Sequence, residues 1–363
     1  MIYKQFADQK LSALGLGTMR FPIIGDDPAV VDMEKTREIV DFAIKNGINY
    51  FDTAWFYHGG KSESVMGEIL SNYPRESFCL ASKFPGLDPK NLEKIEEIFE
   101  EQLRRCRVDY FDFYLFHNVS DKTIDAYLDP KYGLLEYLLA QKRKGRIKHL
   151  GFSTHATTAA FLRFLDAYGA HMEFCQIQLN YLDWNYQDAK EKVRILNERN
   201  IPIWVMEPVR GGKLADLSPT HLEKIKAIRA EESPAALAFR FLQSQPGICV
   251  TLSGMSNLTQ VKENITTFSE HRPLNDEELK AIFEIADDMV AQNALPCTAC
   301  RYCEEKCPKK IPVSHIFAEY NATRRVSKEN LPTACIGCKQ CEAVCPQEIK
   351  IASVMMYLKS KTR

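Results

Sequence analysis

Eight cysteines near the end of the chain form two runs with identical spacing. In each run, pairs of residues separate the first three cysteines, and a fourth cysteine follows after three more residues and precedes a proline. The runs are Cys297, Cys300, Cys303 and Cys307 with Pro308, then Cys335, Cys338, Cys341 and Cys345 with Pro346. Thiolates at this spacing are typical ligands of 4Fe-4S clusters in bacterial ferredoxins, so the segment is predicted to bind two such clusters.

Two assignments of the cluster ligands are open. In ferredoxins with two clusters, the fourth cysteine of each run binds the other cluster. That rule assigns one cluster to Cys297, Cys300, Cys303 and Cys345, and the other to Cys335, Cys338, Cys341 and Cys307. The 27 residues between the runs exceed a minimal ferredoxin link, so each run could instead need an outside ligand. Zinc also accepts four cysteines, but it does not require the third cysteine and the proline at these positions.

The composition of the chain changes where these cysteines begin. The chain has 363 residues, including 12 cysteines, and its net charge is −1. The segment from Cys297 onward carries a net charge of +6, and the preceding residues carry −7. A chain of this length is expected to form two or more domains. We therefore predict one domain of residues 1–292 and a second of residues 293–363.

The composition also argues against several classes of protein. The nearly balanced charge gives no indication of nucleic-acid binding, and no apolar stretch is long enough for a membrane span. The N-terminus lacks the charged and apolar regions of a signal peptide, so a cytoplasmic protein without a disulfide framework is expected. Four earlier cysteines are expected to be buried and unreactive: Cys79, Cys106, Cys175 and Cys249.

Short apolar runs alternate with longer amphipathic runs over the first ~290 residues. Eight of the short runs are predicted strands: Ala13–Gly17, Ile48–Phe51, Phe78–Ser82, Phe111–Phe116, Lys148–Ser153, Phe174–Leu179, Ile203–Glu207 and Cys249–Ser253. Helices between strands serve as crossovers, which makes the strands parallel. Eight such units fit a (β/α)8 barrel of the TIM type, followed by a small helical ferredoxin-like domain. An open doubly wound sheet is the alternative, but the first predicted strand lacks the glycine-rich fingerprint of that fold.

Chemistry in such a barrel takes place at the carboxyl ends of the strands. Three consecutive strand ends place Asp52, Lys83 and His117 there, and Tyr57 follows Asp52 in the same loop. Each has an ordinary alternative, as a cap, a solvated lysine, a core histidine or a packing aromatic, but all four face one rim. A lysine next to a tyrosine lowers the tyrosine pKa from about 10, which creates a general acid for a carbonyl oxygen. The histidine would orient that carbonyl.

The chain resembles the aldo-keto reductases over roughly residues 1–290, in segments that follow the family's order. These segments are GLGTMRFP, FDTAWFYHGGKSE, ASKFP, YLFHN, GRIKHLGFSTH, QIQLNYL and SGMSNLTQVKEN. The resemblance implies a (β/α)8 barrel, a nicotinamide cofactor and a catalytic tetrad of Asp52, Tyr57, Lys83 and His117. Tyr57 would be the proton donor. The tail resembles the ferredoxin-like module that is fused to a subset of this family.

The resemblance also implies where NAD(P)(H) would bind. Ser153 and Gln176 match the residues that hold the nicotinamide carboxamide, and Met206 stands where an aromatic ring often covers the nicotinamide. The other expected contacts are Thr18, Met19, Asp52, Pro208, Gly211, Ser253, Gly254, Ser256, Asn257, Gln260, Glu263 and Asn264. Within the last segment only Lys262 is basic. This weakly disfavours the 2′-phosphate of NADPH, because that group prefers paired cations.

Three functions are compatible with this combination. The first is reversible hydride transfer between a nicotinamide cofactor and a small carbonyl or alcohol substrate, with clusters that mainly support structure. The second is an electron relay from the barrel through the clusters to a ferredoxin, flavodoxin or flavoprotein partner. The third is a redox sensor or binding subunit with a vestigial barrel site, which the complete tetrad disfavours. An apolar pocket beside Tyr57 is expected from Phe21, Trp55, Phe56, His58 and Phe84.

Overall fold

Eight parallel strands close into a barrel in the computed structural model, which describes residues 1–292 and 295–360. A short antiparallel hairpin, β1 (Tyr3–Phe6) and β2 (Gln9–Ser12), precedes the barrel. The barrel strands are β3 (Leu14–Gly17), β4 (Tyr50–Asp52), β5 (Cys79–Phe84), β6 (Phe111–Val119), β7 (Ile147–Thr154), β8 (Phe174–Gln178), β9 (Ile203–Met206) and β10 (Ile248–Ser253). Each strand pairs with the next along the chain, and β10 pairs with β3 to close the barrel. The predicted (β/α)8 barrel is confirmed.

Helices surround the barrel and link its strands. Those before the cysteine-rich segment are α1 (Met33–Lys45), α2 (Ser62–Leu70), α3 (Ile95–Cys106), α4 (Ile124–Leu128), α5 (Leu134–Arg143), α6 (Thr158–Tyr168), α7 (Asp183–Tyr186), α8 (Ala189–Glu198), α9 (Pro219–Ile228), α10 (Pro234–Gln243), α11 (Leu258–Thr267) and α12 (Asp276–Gln292). Ser233 caps α10 by accepting from the backbone of Ala236, and Pro234 occupies the first helical position. Asp88 caps a 3-10 helix, Pro89–Lys94, which directly precedes α3.

The hairpin β1–β2 closes the amino end of the barrel, and the sequence analysis did not find it. Phe6 and Leu11 are buried in the barrel interior with Phe113 and Trp204. The ring of Phe6 lies 5.0 Å from that of Trp204 in an edge-to-face arrangement. Aromatic side chains therefore fill this end of the barrel, and the opposite end, where the strands finish, is left open for a cavity.

The cysteine-rich segment forms a small helical module. Its helices are α13 (Tyr302–Glu305), α14 (Val313–Thr323), α15 (Gln340–Ala343) and α16 (Ile351–Ser360). Ile316, Phe317, Ile351 and Met355 form the centre of its separate apolar core. The predicted domain boundary between residues 292 and 293 falls at the edge of residues 293–294, which lie outside the described residues, and it stays a prediction. In the described part of the chain, no helix combines the length and apolar character that a bilayer crossing needs.

Candidate active site and cluster module

The tetrad predicted from the sequence is brought together at the carboxyl end of the barrel. Asp52 ends β4, Lys83 lies in β5, His117 lies in β6, and Tyr57 begins a 3-10 helix after β4. Nζ of Lys83 donates to Oδ1 of Asp52 at 2.6 Å, to the carbonyl of Thr53 at 2.9 Å and to Oη of Tyr57 at 3.4 Å. Because Lys83 donates to the phenol oxygen, Tyr57 keeps its own hydrogen for another acceptor.

The pKa of Tyr57 differs from the expected direction. Burial and the charge of Asp52 raise it well above its ordinary value, whereas the sequence analysis expected Lys83 to lower it. Burial is the largest cause, and the Asp52–Lys83 pair does not offset it. Burial raises the pKa of Asp52 and lowers that of Lys83, each charge opposes the other's shift, and the pair has no net charge wherever its proton lies. Tyr57 therefore stays protonated, as a proton donor must be.

His117 faces the other three residues of the tetrad as a neutral imidazole. Burial, together with the charge of Lys83, holds its pKa well below the ordinary value. Its ring lies 6.1 Å from the ring of Tyr57 at an angle of 83°. Nδ1 is buried and has no hydrogen-bond partner among the described residues. A neutral imidazole can donate one hydrogen bond to a carbonyl oxygen that also accepts from Tyr57.

A second layer of buried polar groups supports Lys83. Nε2 of Gln102 donates to the carbonyl of Lys83 at 3.0 Å and to Oε1 of Glu63 at 2.6 Å. Oε1 of Glu63 also accepts from Ser82 at 2.7 Å, and Arg105 pairs with the other oxygen at 3.4 Å. These residues could not be predicted from the sequence, because Gln102 lies on α3 and the folded barrel brings it under β5.

Most predicted cofactor contacts line one cavity of about 790 Å³ above the tetrad. The cavity wall includes Met19, Asp52, Ser153, Gln176, Met206, Pro208, Gly211, Ser253, Gly254, Ser256, Gln260, Glu263 and Asn264. Thr18 lies behind the wall and shares a hydrogen bond of 2.6 Å with Ser62. Asn257 caps α11 by accepting from the backbone of Gln260 at 3.0 Å.

The polar groups at the centre of this cavity fit a nicotinamide carboxamide. Oε1 of Gln176 is buried without a hydrogen-bond partner among the described residues. Oγ of Ser153 accepts from the backbone of Asn118 at 2.9 Å, which leaves its hydrogen for another acceptor. Sδ of Met206 lies 3.7 Å from Nε2 of Gln176 and presents a thioether to the same space. A carboxamide has one acceptor and two donor hydrogens, so it complements this set.

The cysteines of the two runs gather into two groups of four. Cys297, Cys300, Cys303 and Cys345 line one small cavity of the module. Cys307, Cys335, Cys338 and Cys341 line another. The structure thus brings together the crosswise sets that the ferredoxin rule predicts, with the fourth cysteine of each run in the other group. Among the described residues, no three His, Cys, Asp or Glu side chains converge as closely as a single metal ion requires.

Comparison with known proteins settles the family. A model of the aldo/keto reductase family matches residues 13–287, and a model of the 4Fe-4S dicluster domain matches residues 296–349. This chain belongs to the aldo/keto reductase family. It is thus an oxidoreductase-family protein with an iron-sulfur domain at its C-terminal end.

Individual relatives agree with this assignment. This aldo/keto reductase is 26% identical to YqkF, an uncharacterized oxidoreductase of Bacillus subtilis (strain 168), over 76% of the chain and 93% of that protein. It is 24% identical to L-galactose dehydrogenase of Arabidopsis thaliana, over 76% of the chain and 91% of that protein. The holo form of an aldo-keto reductase from Bacillus halodurans superposes with a TM-score of 0.64 at 25% identity, covering 78% of this chain and 96% of that one.

In this aldo/keto reductase the cluster module lies on the barrel cavity. Nε2 of Gln347 donates to Oε1 of Gln178 at 2.9 Å, and Nζ of Lys122 donates to the carbonyl of Glu342 at 2.9 Å. The module contributes to the cavity wall with Thr298, Cys300, Tyr302, Glu305, Lys306, Gln340, Ala343, Val344, Pro346 and Gln347. No sequence signal pointed to this shared wall, because cysteine spacing describes the clusters and not the surface on which their module docks.

The module also touches the predicted path of the cofactor. Gly211 has a φ of +66°, and a Cβ there would collide with the carbonyl of Thr298. That carbonyl also accepts from Nη2 of Arg20 at 3.4 Å. Arg20 pairs with Glu207 at 3.7 Å and lies against Gly254. The sequence analysis did not assign Arg20, although it follows directly after the predicted contacts Thr18 and Met19.

Most residues of the expected apolar substrate pocket are not part of the cavity wall. Of the five aromatic and histidine residues proposed, one, Phe56, lines the cavity. Phe21 and His58 bind each other behind it, since Nε2 of His58 accepts from the backbone of Phe21 at 3.2 Å. Trp55 packs under the guanidinium of Arg105, and Phe84 is fully buried in the barrel core.

The four cysteines of the barrel are outside both groups of cluster cysteines. Cys106, Cys175 and Cys249 are buried, and Cys79 is partly buried. Burial raises the pKa of the Cys79 and Cys249 thiols to about 12. Thiols of this kind are poor nucleophiles, as the sequence analysis expected.

Proposed function

We propose that this protein catalyses reversible hydride transfer between NAD(P)(H) and a small carbonyl or alcohol substrate, with Tyr57 as the proton donor. The observation that carries the proposal is the hydrogen bonding of Tyr57. Its oxygen accepts from Lys83 at 3.4 Å, it stays protonated, and its side chain lines the open cavity beside His117. A carbonyl oxygen in this space would accept from both Tyr57 and His117.

The nicotinamide, when bound, supplies or removes the hydride at the carbonyl carbon. Ser153 and Gln176 would hold its carboxamide, and Met206 would cover its ring. In reduction, the carbonyl carbon gains the hydride and the oxygen gains the proton of the Tyr57 hydroxyl, so that the C=O π bond becomes a C–H bond and an O–H bond. Lys83 then stabilises the phenolate by hydrogen bonding and charge, and Asp52 holds Lys83 in place, until solvent returns a proton.

We also propose that NADH is used at least as well as NADPH. Nζ of Lys262 lies 5.6 Å from the centre of the Phe42 ring on α1. This contact directs the lysine toward α1, whereas a 2′-phosphate is best bound by paired cations or an arginine fork. Comparison of the two cofactors at equal concentration tests this point, and a strong preference for NADPH would contradict it.

The cysteine groups support two 4Fe-4S clusters with crosswise ligands. Each small cavity is lined by four thiols, which is the donor set that such a cluster needs. Cluster thiolates persist in reducing compartments, so we propose a cytoplasmic location. Anaerobic purification with measurement of iron, sulfide, nucleotide and flavin in one sample tests the number of clusters and the identity of the cofactor.

The experiment for the main function is the Tyr57→Phe variant of the anaerobically purified holoprotein. Carbonyl reduction is expected to fall by about 10²–10⁴-fold, since general acid catalysis contributes this much. Cofactor affinity, measured by quenching of intrinsic fluorescence, should change little. The matched control is Tyr73→Phe, because Tyr73 binds Asp41 on the outer side of the barrel at 2.6 Å and should leave turnover unchanged. Unchanged turnover in Tyr57→Phe would overturn the assignment.

A second candidate is the electron relay, and one observation favours it. Cys300, a predicted ligand of one cluster, lines the same cavity as His117 and Met206. A cluster bound there would be next to the nicotinamide site. Hydride transfer moves two electrons and a 4Fe-4S cluster moves one, so a flavoprotein partner would be needed to bridge them. Reduction of the clusters with dithionite should then reduce the nicotinamide only when a flavin partner is added.

A further inference from the structure

The cluster module consists of two copies of one structural unit. Each copy has a cysteine run, a short helix and a longer helix, so that α13 and α14 of the first copy match α15 and α16 of the second. Oε1 of Glu304 accepts from the backbone of Ser314 at 2.7 Å, and Oε1 of Glu342 accepts from the backbone of Ala352 at 2.8 Å. Both members of the second pair lie 38 positions after their counterparts, as the cysteines do. Residues of the two copies can therefore be compared position by position.

The barrel covers the face of the module next to the first group of cysteines. Thr298, which follows the first cysteine of its run, is 3% exposed, and its carbonyl accepts from Nη2 of Arg20 and lies against Gly211. Gln347 lines the cavity of the same group and donates to Gln178 of the barrel at 2.9 Å. This face of the module is thus a docking surface that the barrel already occupies.

The equivalent face beside the second group of cysteines is not covered by the described part of the chain. Ile336 takes the position of Thr298 and is 60% exposed, and Cys338 in the same turn is also exposed. Met356 of α16 lies over Gly337 and is itself exposed, with Sδ 3.7 Å from the place of a Cβ there. The covered copy thus has a threonine where the uncovered copy has an isoleucine, which is the reverse of what contact with water favours. Apolar groups exposed in this way mark an interaction surface.

The charges on the uncovered face fit an acidic partner. Lys309 takes the position of Gln347, and it lines the cavity of the second group of cysteines together with Lys339. Both lysines are exposed, and no Asp or Glu among the described residues lines this cavity. Lysines around an apolar patch attract a protein with an acidic surface and fix its orientation.

We propose that the face formed by Lys309, Ile336, Cys338, Lys339 and Met356 is the docking surface of a small acidic flavoprotein of the flavodoxin type. The lysines require an acidic partner surface, and the flavin follows from the mismatch between two-electron and one-electron chemistry. This inference rests on the second candidate function, the electron relay, and it supplies the partner of the relay and its place of contact. The barrel and the partner would then occupy equivalent faces of the two copies.

The first test is the binding of a purified flavodoxin to the anaerobically purified holoprotein, measured by calorimetry without nicotinamide or ketone. Binding is expected to weaken as salt is added, because exposed charges are screened. Lys309→Glu/Lys339→Glu should weaken it by at least about tenfold at low salt. The matched control is Lys4→Glu/Lys10→Glu, which makes the same change of charge on the hairpin β1–β2 at the other end of the barrel. This control should change the affinity by less than about twofold.

A second variant tests the apolar part of the face without a change of charge. Ile336→Ser should lower the affinity for flavodoxin by roughly tenfold, because most of the apolar area of the side chain is lost. The dependence on salt should remain that of wild type. Ile24→Ser, at a similarly exposed isoleucine between β3 and α1, is the control. Iron content, measured in each variant, reports whether the clusters remain.

Hydrogen exchange locates the bound flavodoxin on the wild-type protein. New protection is expected in residues 336–339 and at the end of α16, and protection confined to other parts of the chain would overturn the proposal. Absence of binding would overturn it as well, and so would an equal loss of affinity in the two double variants. A wild-type dimer in sedimentation that Ile336→Ser dissociates would assign the face to a second copy of this chain instead.

The docking surface can fail or hold independently of the proposed functions. Tyr57→Phe should bind flavodoxin as wild type does, so that loss of hydride transfer and loss of docking are seen separately. If flavodoxin binds at this face but reduced clusters never lead to reduction of the nicotinamide, the docking surface stands and the relay fails.

Discussion

The barrel and the cluster module position their functional side chains by different means. In the barrel, Asp52, Lys83 and His117 lie on neighbouring strands whose backbones pair along the sheet, above a large apolar core. In the module, the cysteines lie on turns and on helices as short as four residues, around a small core that includes Cys303 and Cys335. The barrel site is therefore held by the fold, whereas the module depends on what its cysteines bind, as small metal-binding domains generally do.

Removal of iron should have the largest effect, and the two domains should respond to it differently. We expect chelation under anaerobic conditions to unfold the module, because four thiols cannot replace the bonds to a cluster. Hydrogen exchange measured by mass spectrometry should show loss of protection over residues 295–360. Strands β3 to β10 should keep their protection. A module that stays protected without iron would show that its fold does not depend on the clusters.

Loss of a single ligand should act locally in the module. Cys338→Ala is expected to remove one of the two clusters and to halve the iron content of the chain. Its counterpart is Cys175→Ala in the barrel, which should leave the iron content unchanged. Burial alone would predict that Cys175→Ala is the more damaging variant, since Cys338 is exposed and Cys175 is fully buried. The iron content and the melting temperature of each variant show which substitution is more damaging.

The barrel should respond most strongly to a broken ion pair. Lys83→Met leaves the buried carboxylate of Asp52 without its partner at 2.6 Å. This change should destabilise the barrel by about 3–5 kcal/mol. The double variant Asp52→Asn/Lys83→Met should recover most of this loss while carbonyl reduction remains low. Thermal unfolding of the barrel and turnover are the two measurements. A double variant no more stable than the single one would show that the pair is not what holds this region.

The smallest expected effect is on the pH dependence of barrel stability. Burial, together with the charge of Lys192, lowers the pKa of His155 to about 4. The unfolded chain binds a proton to this histidine below about pH 6.5, and the folded chain does not until about pH 4. Stability should therefore fall as the pH decreases through this window, by at most about 1.4 kcal/mol per pH unit.

Replacement of His155 should reduce this dependence. His155→Asn is expected to flatten the slope of barrel stability between about pH 6.5 and 4. His171→Asn, on an exposed turn, is the control variant. Melting temperatures measured across the window give the slope for each protein. An identical slope in His155→Asn and wild type would show that other groups dominate acid sensitivity.

The barrel strands and the tetrad were predictable because their signals are local. Apart from Asp112, the run Phe111–Phe116 has aromatic or apolar side chains on both faces, as expected for a strand buried between a core and a helix layer, and the structure extends it to Val119. Each tetrad residue lies at or just after a strand end, so strand prediction and barrel geometry together bring the four to one rim. The hairpin β1–β2 escaped because its strands are short and partly exposed.

Local sequence predicts the alternation of strands and helices, the residues of the tetrad and the spacing of the cysteines, since each is recorded within a few residues of chain. The folded chain is needed to see that Cys345 joins the first group of cysteines and Cys307 the second. The fold also brings Tyr302 to Met19, a residue 283 positions earlier. Such contacts depend on how the surfaces of two folded domains dock. Hydrophobic periodicity shows which face of a helix or strand is apolar, but it does not specify the partner that covers this face.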